Sequence, residues 1–432
     1  MNNINSLEEL RHTTKVYRGE TKYDAIVLDA QLRQSLVTIR SLGRRGRRVA
    51  AVEISSMTEN APYVPAFSSR WCQRAYIAPT YEHNATPFRQ YLKQLLDRNP
   101  TQVLISSSDG TLDVMREQRK ELEQRVRLAL AREEALRVVV NKAHTLEIAE
   151  QLGIGIPRSV QLGAANEVAE AIKIIGLPAV VKPVESWLWR NGNGEKQQKE
   201  NGIRLICQLA TTRDEACRAV EELTSTGSAV LFQQFLEGRR EAISFLYARG
   251  EMYAKFAQWA KRTQPPLGGM SVYRQSIALP YDSGAQAERL VREIDLEGYS
   301  EVEFRRDRDG KPYLMEINPR LSASVEIAVR AGIDFPYMLY QWANEEKIDR
   351  VKGYKVGGWM RFLSGDLLTT VQSIKQQGRP GVIPPAQAIG EFLTAFAIPA
   401  SYDYFDMNDL VPAYKATLNF AHSMFQKITG KT

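Results

Sequence analysis

The stretch Tyr313-Leu-Met-Glu-Ile-Asn-Pro-Arg-Leu-Ser-Ala-Ser324 places a carboxylate, a carboxamide and a guanidinium on every second residue. In a β-strand alternate side chains point to the same face, so Glu316, Asn318 and Arg320 are predicted to face one way and Ile317 the other. A strand with a polar face toward solvent would explain Glu316 alone. The alternation of all three polar groups favours a functional strand.

A further acid, Glu303, lies on the preceding apolar-rich run Ser300-Glu-Val-Glu-Phe304, and an Asp-Gly pair at 309–310 separates the two runs. This pattern is typical of a β-hairpin. Two carboxylates and an amide oxygen on paired strands form a hard-oxygen site, which suits Mg²⁺ holding substrate phosphates. We therefore predict that Glu303, Glu316 and Asn318 bind the metal and that Arg320 clamps a phosphoryl group as the catalytic residue.

The segment Glu316-Ile-Asn-Pro-Arg-Leu-Ser-Ala-Ser324 resembles the metal strand of ATP-grasp enzymes, especially the branch of carbamoyl-phosphate synthetase and biotin carboxylase. The resemblance covers about residues 24–345 and implies ATP as the nucleotide, with Mg²⁺ or alternatively Mn²⁺. Ala323 stands where carbamoyl-phosphate synthetases carry a second arginine, which argues against a carbamate or bicarbonate substrate. The chain is most similar to the branch of predicted carboxylate–amine ligases.

Two lysines are candidates for binding the nucleotide phosphates. Lys182 ends the apolar run Leu177-Pro-Ala-Val-Val-Lys-Pro183, and a lysine at a strand end can reach a phosphate as a point charge. By resemblance Lys182 is the phosphate lysine of the family, and Lys142 matches its first nucleotide-binding basic residue. Either lysine alone could be an ordinary surface residue. The pair, separated by a predicted strand-helix-strand unit, is a more specific signal.

The segment 229–241 resembles the hinge between the two halves of the ATP-grasp domain, where main chain pairs with the adenine edge. The resemblance implies that Gln234 and Leu236 lie at the adenine-pairing positions. It also implies that the carboxylate of Glu241 accepts hydrogen bonds from the ribose hydroxyls.

The expected fold class is α/β and α+β: an ATP-grasp fold preceded by a parallel-sheet, pre-ATP-grasp domain and followed by a small helical C-terminal appendage. Strand-like runs at 24–29, 48–53 and 102–106 alternate with helical runs at 35–42 and 88–96, which favours a parallel sheet. The predicted divisions are a polar arm (1–22), the parallel-sheet domain (23–116), an exposed helical connector (117–140), the ATP-grasp domain (141–345, hinge near 233–238) and the appendage (346–432).

The loop 183–201 is predicted to be a lid over the site, because a polar, glycine-containing loop of this length inside a compact domain is often functional. Backbone amides near Gly192 and Gly194 could bind phosphate oxygens. Trp187 and Trp189 could either close over the substrate or pack on the domain.

Composition limits the partners and the compartment. The chain has 432 residues, 44% apolar and 25% charged, which is typical of a soluble globular protein. It lacks a long apolar run and a signal-peptide pattern, so we expect no membrane span and a cytoplasmic location. Three scattered cysteines disfavour a disulfide framework. A homo-oligomer is compatible with the sequence.

The formal net charge is +7, and the most basic segment is Arg40-Ser-Leu-Gly-Arg-Arg-Gly-Arg-Arg48. It could be an anion or nucleic-acid patch, or a solvated helix end in which Gly43 is the cap and the arginines lie near the negative terminus. We favour the helix end, because no aromatic residue for base stacking is interleaved. Nucleic acid is therefore a disfavoured partner.

The family resemblance implies an ATP-dependent, ADP-forming ligase. Such an enzyme activates a small-molecule carboxylate as an acylphosphate and joins it to an amine, and the protein's task is mainly positioning and charge neutralisation. The four histidines are scattered, in agreement with a reaction that needs no covalent nucleophile. Two alternatives stay open: a bicarbonate-activating carboxylase of the same fold, and a non-catalytic ATP-binding module.

Overall fold

The computed structural model describes residues 22–60, 63–82, 84–191 and 199–429. Its first sheet has five parallel strands in the order β3-β2-β1-β4-β5, which confirms the predicted parallel sheet. Two of these strands, β3 and β5, were not predicted from the sequence. The elements are β1 Tyr23–Val27, α1 Arg33–Arg44, β2 Val49–Ile54, α2 Ser55–Asn60, a 3₁₀ turn Ala66–Ser68, β3 Cys72–Ala78, α3 Ala85–Arg98, β4 Thr101–Ile105, α4 Asp109–Glu117, α5 Arg119–Leu122 and β5 Arg127–Leu128.

The predicted exposed helical connector at 117–140 is wrong in part. Its middle forms strand β5, which pairs in parallel with β4. Leu122, Val126 and Leu128 are buried, so these sparse apolar residues anchor the segment against the sheet. The charged residues between them gave the segment the appearance of a solvated helix.

A four-stranded antiparallel sheet follows, in the order β10-β7-β11-β6. Strands β8 and β9 form a separate two-stranded hairpin. The elements are α6 Glu133–Val140, α7 Lys142–Gln151, β6 Ser159–Leu162, a 3₁₀ turn Ala165–Glu167, α8 Val168–Ile175, β7 Ala179–Pro183, β8 Trp187–Asn191, β9 Lys199–Arg204, β10 Gln208–Ala210, α9 Arg213–Thr224 and β11 Val230–Gln234.

The largest sheet has seven strands in the order β16-β15-β12-β13-β14-β17-β18. Neighbouring strands are antiparallel except β17 and β18, which pair in parallel. The elements are β12 Arg240–Ala248, β13 Glu251–Gln264, β14 Met270–Ile277, α10 Tyr281–Ile294, β15 Gly298–Arg306, β16 Pro312–Asn318, α11 Glu326–Ala331, α12 Phe335–Ala343, β17 Trp359–Arg361, α13 Leu363–Lys375, α14 Pro385–Thr394, β18 Ala400–Tyr402 and α15 Val411–Thr429.

The predicted hairpin is confirmed, because β15 and β16 pair antiparallel across a turn at 307–311. Gly310 has φ +82, a conformation that glycine adopts without strain. The C-terminal region is mostly helical as predicted. However, β17 and β18 also extend the large sheet, so this region continues the fold and is not a separate appendage. None of the described helices is long and apolar enough to cross a membrane.

Two arginines of α1, Arg33 and Arg40, join the parallel-sheet domain to the C-terminal region through buried ion pairs, whereas Arg44 and Arg45 at the helix end are exposed. Arg40 donates from Nε to Asp409 at 2.9 Å, and Arg33 donates to Asp403 at 2.8 Å. Asp403 also accepts two hydrogen bonds from Arg274, at 2.7 and 2.9 Å. Gly43 lies inside α1, so the prediction that it caps the helix is wrong.

We expect Asp403→Ala to destabilise the fold strongly, because it leaves Arg33 and Arg274 buried without their shared carboxylate. Removing one partner of a buried ion pair costs about 3–5 kcal/mol. The free energy of unfolding measured in urea tests this. Asp349→Ala is the matched control, because its ion pair with Lys347 is solvent-exposed and should contribute little. Equal losses in the two variants would contradict the structural role of Asp403.

Candidate functional site

The core of the candidate site is a pair of facing carboxylates on β15 and β16. The strand register sets Glu303 opposite Glu316 and Glu301 opposite Asn318. Because residues two apart share a face, all four side chains belong to one face of the sheet. The alternating sequence predicted this for Glu316 and Asn318. The Asn318 Nδ2 group donates to Glu303 Oε1 at 3.3 Å. The structure therefore brings the three predicted metal ligands together.

Burial and mutual repulsion perturb these acids. Burial raises the pKa of Glu303 to about 7, and the charges of Glu316 and Glu301 add to the shift while Arg240 opposes it. Burial alone would also raise the pKa of Glu316. The cations Lys142, Lys182 and Arg240 outweigh that effect and hold the Glu316 pKa below its ordinary value. Glu316 is thus the carboxylate that the surrounding cations keep ionised.

The two predicted lysines approach this pair from two different elements, a helix and a strand. Lys182 is in β7, is 9% exposed, and lies with its Nζ 4.0 Å from Met315 Sδ. Lys142 begins α7, is 6% exposed, and donates from Nζ to Ser186 Oγ at 2.7 Å. Burial lowers the pKa of Lys182, and the nearby Glu316 opposes that shift. Lys142, Glu316 and Asn318 line one cavity, which we call the cleft, and Lys182 is in electrostatic contact with Glu316 beside it.

Arg320 does not stand free beside the acids. Its Nε and Nη2 groups donate to the two oxygens of Asp109 at 2.6 and 2.9 Å. Burial would lower the pKa of the Arg320 guanidinium, but Asp109 raises it above its ordinary value. The motif and the parallel-sheet domain are thereby joined in a bidentate ion pair.

Sequence reasoning missed Asp109 as a site residue. The sequence feature that could have identified Asp109 is the run Ser107-Ser-Asp-Gly110. It follows β4 at the carboxyl edge of the parallel sheet, where such folds bind ligands. Ser108 caps α4 by accepting a hydrogen bond from the Thr111 backbone, and this fixes the start of the helix that carries Asp109.

Glu301 was also missed, although it alternates with Glu303 on the same strand. Its carboxylate accepts hydrogen bonds from Ser322 at 2.8 Å and from Gln258 at 3.2 Å. Ser324 donates to the same oxygen at 3.5 Å. Glu301 thus fixes the Ser-Ala-Ser segment that follows Arg320, and its position suits this supporting role.

The predicted hinge connects the two sheets that enclose the cleft. Gln234 is the last residue of β11 in the four-stranded sheet, and β12 of the seven-stranded sheet starts at Arg240. The Gln234 backbone N–H donates to Arg158 O at 2.9 Å, and Leu236 is buried. Among the described residues, the main chain of 235–237 has no hydrogen-bond partner. The backbone next to Gln234 is therefore available to a ligand.

Glu241 is not brought to the site. It is one residue out of phase with Arg240 and Ala242, and the register sets Ala242 opposite Glu303, so Glu241 belongs to the opposite face of the sheet. Its carboxylate is occupied by Arg306 at 2.9 and 3.0 Å and by Ser283 at 3.1 Å. The structure thus does not support the predicted ribose contact. Arg240 takes the position on the site face.

The donor set fits Mg²⁺ in part. Glu303 and Glu316 supply carboxylate oxygens and Asn318 an amide oxygen, which are hard donors of the right kind. Among the described residues no group of three or more His, Cys, Asp or Glu side chains is placed to hold a metal ion. Mg²⁺ commonly completes its shell with water and substrate phosphates, so this incomplete set suits a metal that arrives with a nucleotide.

The predicted lid lies partly outside the described residues, because 192–198, which include Gly192 and Gly194, are not among them. The flanking strands β8 and β9 form an antiparallel hairpin. The Trp187 ring packs edge-on against Tyr81 of the parallel-sheet domain, with centroids 5.5 Å apart. Trp187 is therefore a packing residue, and the lid function of the segment stays a prediction.

We expect Glu241→Ala to weaken folding and to leave nucleotide recognition unchanged. Losing the charge-assisted hydrogen bonds with Arg306 should cost about 2–3 kcal/mol of unfolding free energy. Urea unfolding measures the first effect, and calorimetric titration with ribose and deoxyribose nucleotides measures the second. A selective loss of ribose preference with unchanged stability would restore the role that the sequence implied.

Comparisons with known proteins agree with this geometry. A family model described as "ATP-grasp in the biosynthetic pathway with Ter operon" matches residues 228–357. That segment includes the hinge and all three candidate metal ligands. The carbamoyl phosphate synthase large chain of Methanoculleus marisnigri is 28% identical over 193 residues, which are 43% of this chain and 17% of that protein. The D-alanine–D-alanine ligase of Chromohalobacter salexigens is 24% identical over 211 residues, 45% of this chain and 62% of that one.

The matches thus span less than two thirds of either relative's length. Among solved structures, biotin carboxylase of Campylobacter jejuni superposes with a TM-score of 0.59 at 13% identity, covering 78% of this chain and 74% of that one. N5-carboxyaminoimidazole synthetase of Staphylococcus aureus gives 0.55 at 13%, covering 84% and 89%. L-amino acid ligase of Bacillus licheniformis gives 0.55 at 18%, covering 75% of each chain. These likenesses confirm the predicted fold.

Proposed function

We propose that this chain, which carries an ATP-grasp domain, is an ATP-dependent, ADP-forming ligase that joins a small-molecule carboxylate to an amine. The observation that carries the proposal is the facing pair Glu303 and Glu316, with the charges of Lys142 and Lys182 acting on Glu316. Facing acids with convergent lysines suit a metal-bound polyphosphate. The similarity to ligases with three different names supports the reaction class and leaves the substrates open.

The reaction would proceed in two displacements. A carboxylate oxygen of the first substrate attacks the γ-phosphorus of ATP, which forms an acylphosphate and releases ADP. The amine nitrogen then attacks the acyl carbon, inorganic phosphate leaves, and the nitrogen loses a proton. Mg²⁺, when bound by Glu303, Glu316 and Asn318, supplies neutralising charge to the phosphate oxygens. Lys142 and Lys182 add fixed positive charge without reorganising.

The hinge would hold the base of the nucleotide. The unpaired main chain at 235–237, next to Gln234 and including Leu236, can pair with the adenine edge, and the buried Leu236 side chain supplies an apolar surface. Arg320 would act through its placement: bound to Asp109, it holds the parallel-sheet domain against the metal strand. Arg320 is therefore proposed as a positioning residue, since Asp109 already occupies its guanidinium.

The first test is Glu316→Gln, which we expect to abolish magnesium-dependent ATP cleavage. The variant removes the carboxylate that Lys142 and Lys182 keep ionised, and with it one anionic ligand of the metal. The expected loss in kcat is about 10²-fold or more, similar to other losses of transition-state charge stabilisation. Release of ADP at saturating Mg²⁺ is the measurement.

The matched control is Glu288→Gln, which changes an acid of α10 that pairs with Lys255 and Arg292 away from the cleft. Activity should be retained in this variant. Wild-type turnover in Glu316→Gln would refute the assignment of the site.

A substrate panel distinguishes the remaining alternatives. We expect ADP release from the wild-type protein to depend on a carboxylate and an amine supplied together. Release that needs bicarbonate and no amine would identify a carboxylase instead. Binding of ATP without any release across the panel would favour a non-catalytic nucleotide-binding module.

A further inference from the structure

We propose that Arg240 is an exchangeable counter-ion, which neutralises Glu303 in the nucleotide-free protein and transfers to the polyphosphate when metal and nucleotide bind together. The metal therefore binds weakly until the nucleotide is present. This inference rests on the proposed function, because it assumes that ATP and a divalent metal occupy the cleft at Glu303 and Glu316.

Arg240 occupies the Glu303 oxygen that a metal ion would need as a ligand. Its Nε and Nη2 groups both donate to Glu303 Oε2, at 2.9 and 2.5 Å, and its Nη1 group donates to the carbonyl of Gly269. The other Glu303 oxygen accepts from Asn318. Because Glu303 Oε2 already accepts two hydrogen bonds from the guanidinium, both of its lone pairs are in use, and a metal ion can take this oxygen as a ligand only if Arg240 gives up at least one of them.

The charges of the site reinforce this conclusion. Four carboxylates are tied by hydrogen bonds or close electrostatic contact to four cations: Asp109, Glu301, Glu303 and Glu316 with Lys142, Lys182, Arg240 and Arg320. A further acid and base at the edge, Asp29 and Arg204, leave the balance unchanged. The acids of this cluster do not outnumber its cations, and the adjoining Arg305 adds one more positive charge. A metal ion alone would therefore add uncompensated positive charge to a largely buried group, which is unfavourable. Two Mg²⁺ and one fully ionised ATP add no net charge.

A comparison with the neighbouring Arg305 shows why Arg240 is the arginine that can exchange its partner. Arg305 lies opposite Arg240 in the register and places its guanidinium 5.1 Å from the centre of the Phe235 ring at the hinge. It donates to the carbonyls of Gly238 and Leu267, both at 3.2 Å. Arg305 is thus held by uncharged groups that a metal does not displace. Arg240 depends on a carboxylate that the metal also needs.

The position of the two arginines gives Arg240 its second partner. They lie between the hinge loop at 235–239 and the acids Glu303 and Glu316, on the same face of the sheet. A nucleotide with its base at the hinge and its terminal phosphate at the acids passes its polyphosphate over this point. A guanidinium binds phosphate as readily as carboxylate, so Arg240 can exchange one for the other.

The test is Arg240→Gln, examined by binding and not by turnover. Mn²⁺ titration of the nucleotide-free protein, followed by the loss of the free Mn²⁺ spin-resonance signal, should show tighter metal binding in the variant, by about tenfold, because a competing cation is gone. Calorimetry with a non-hydrolysable ATP analogue should show weaker nucleotide binding. The factor by which the analogue strengthens Mn²⁺ binding should be large in the wild type and reduced in the variant.

Two variants serve as controls. Arg239→Gln removes the same charge from the adjacent residue, whose side chain contacts Glu241 on the opposite face, and it should leave Mn²⁺ affinity unchanged. Arg240→Lys keeps the charge and should retain weak metal binding in the absence of nucleotide. If Mn²⁺ binding without nucleotide became tighter in Arg240→Lys as well as in Arg240→Gln, the counter-ion role would be overturned.

The wild-type titration keeps the proposal testable even if Arg240→Gln fails to fold. Mn²⁺ binding that is equally tight with and without the analogue would overturn the linkage. Failure of the wild-type protein to bind the analogue with any metal would instead overturn the proposed function. If the wild-type protein binds the analogue normally but folded Arg240→Gln shows an unchanged Mn²⁺ affinity, the counter-ion inference fails and the proposed function stands.

Discussion

The site depends on two carboxylates that the sheet forces to face each other out of bulk water. Glu303 and Glu316 are register partners on antiparallel strands, so the fold cannot separate them. Burial raises the pKa of Glu303, and the like charge of Glu316 adds to that shift. A fold that keeps both acids must bring cations to them, and those cations come from distant parts of the chain.

Each cation arrives on a different element. Lys142 comes from α7, Lys182 comes from β7 of the four-stranded sheet, and Arg240 comes from β12 directly after the hinge. The hinge therefore connects the sheet that carries Lys182 to the sheet that carries the acids. Movement of the four-stranded sheet would change the distance from Lys182 to Glu316, which links such a movement to the charge state of the site.

Outside the cleft, the same use of paired charges holds the outer parts of the fold. Arg33 and Arg40 of α1 reach Asp403 and Asp409 near the C-terminus, and all four side chains are buried. Within the arginine-rich segment, Arg40 is therefore structural, and Arg44 also pairs with a C-terminal acid, Asp406. Arg45 and Arg48 are exposed at the helix end, as the sequence predicted.

The sequence predicts those parts of the site that depend on residues close together in the chain. The hairpin and its alternating acids follow from a two-residue period and one turn, so Glu303, Glu316 and Asn318 could be predicted as neighbours. The Arg320–Asp109 pair joins residues 211 positions apart, and no local pattern connects them. The face on which Glu241 lies depends on the length of the hinge loop, because one residue more or less reverses every side chain of β12.

That reversal has a chemical consequence for the whole site. If Glu241 took the position of Arg240, Glu303 would have a further acid beside it in place of a guanidinium, and fewer of the protein's own cations would compensate the acids. With Arg240 there instead, Glu303 is paired within the protein. Under the proposed exchange, a metal displaces Arg240 most readily when a polyphosphate is present to accept the guanidinium. The site would then favour a metal together with a polyphosphate over either ligand alone.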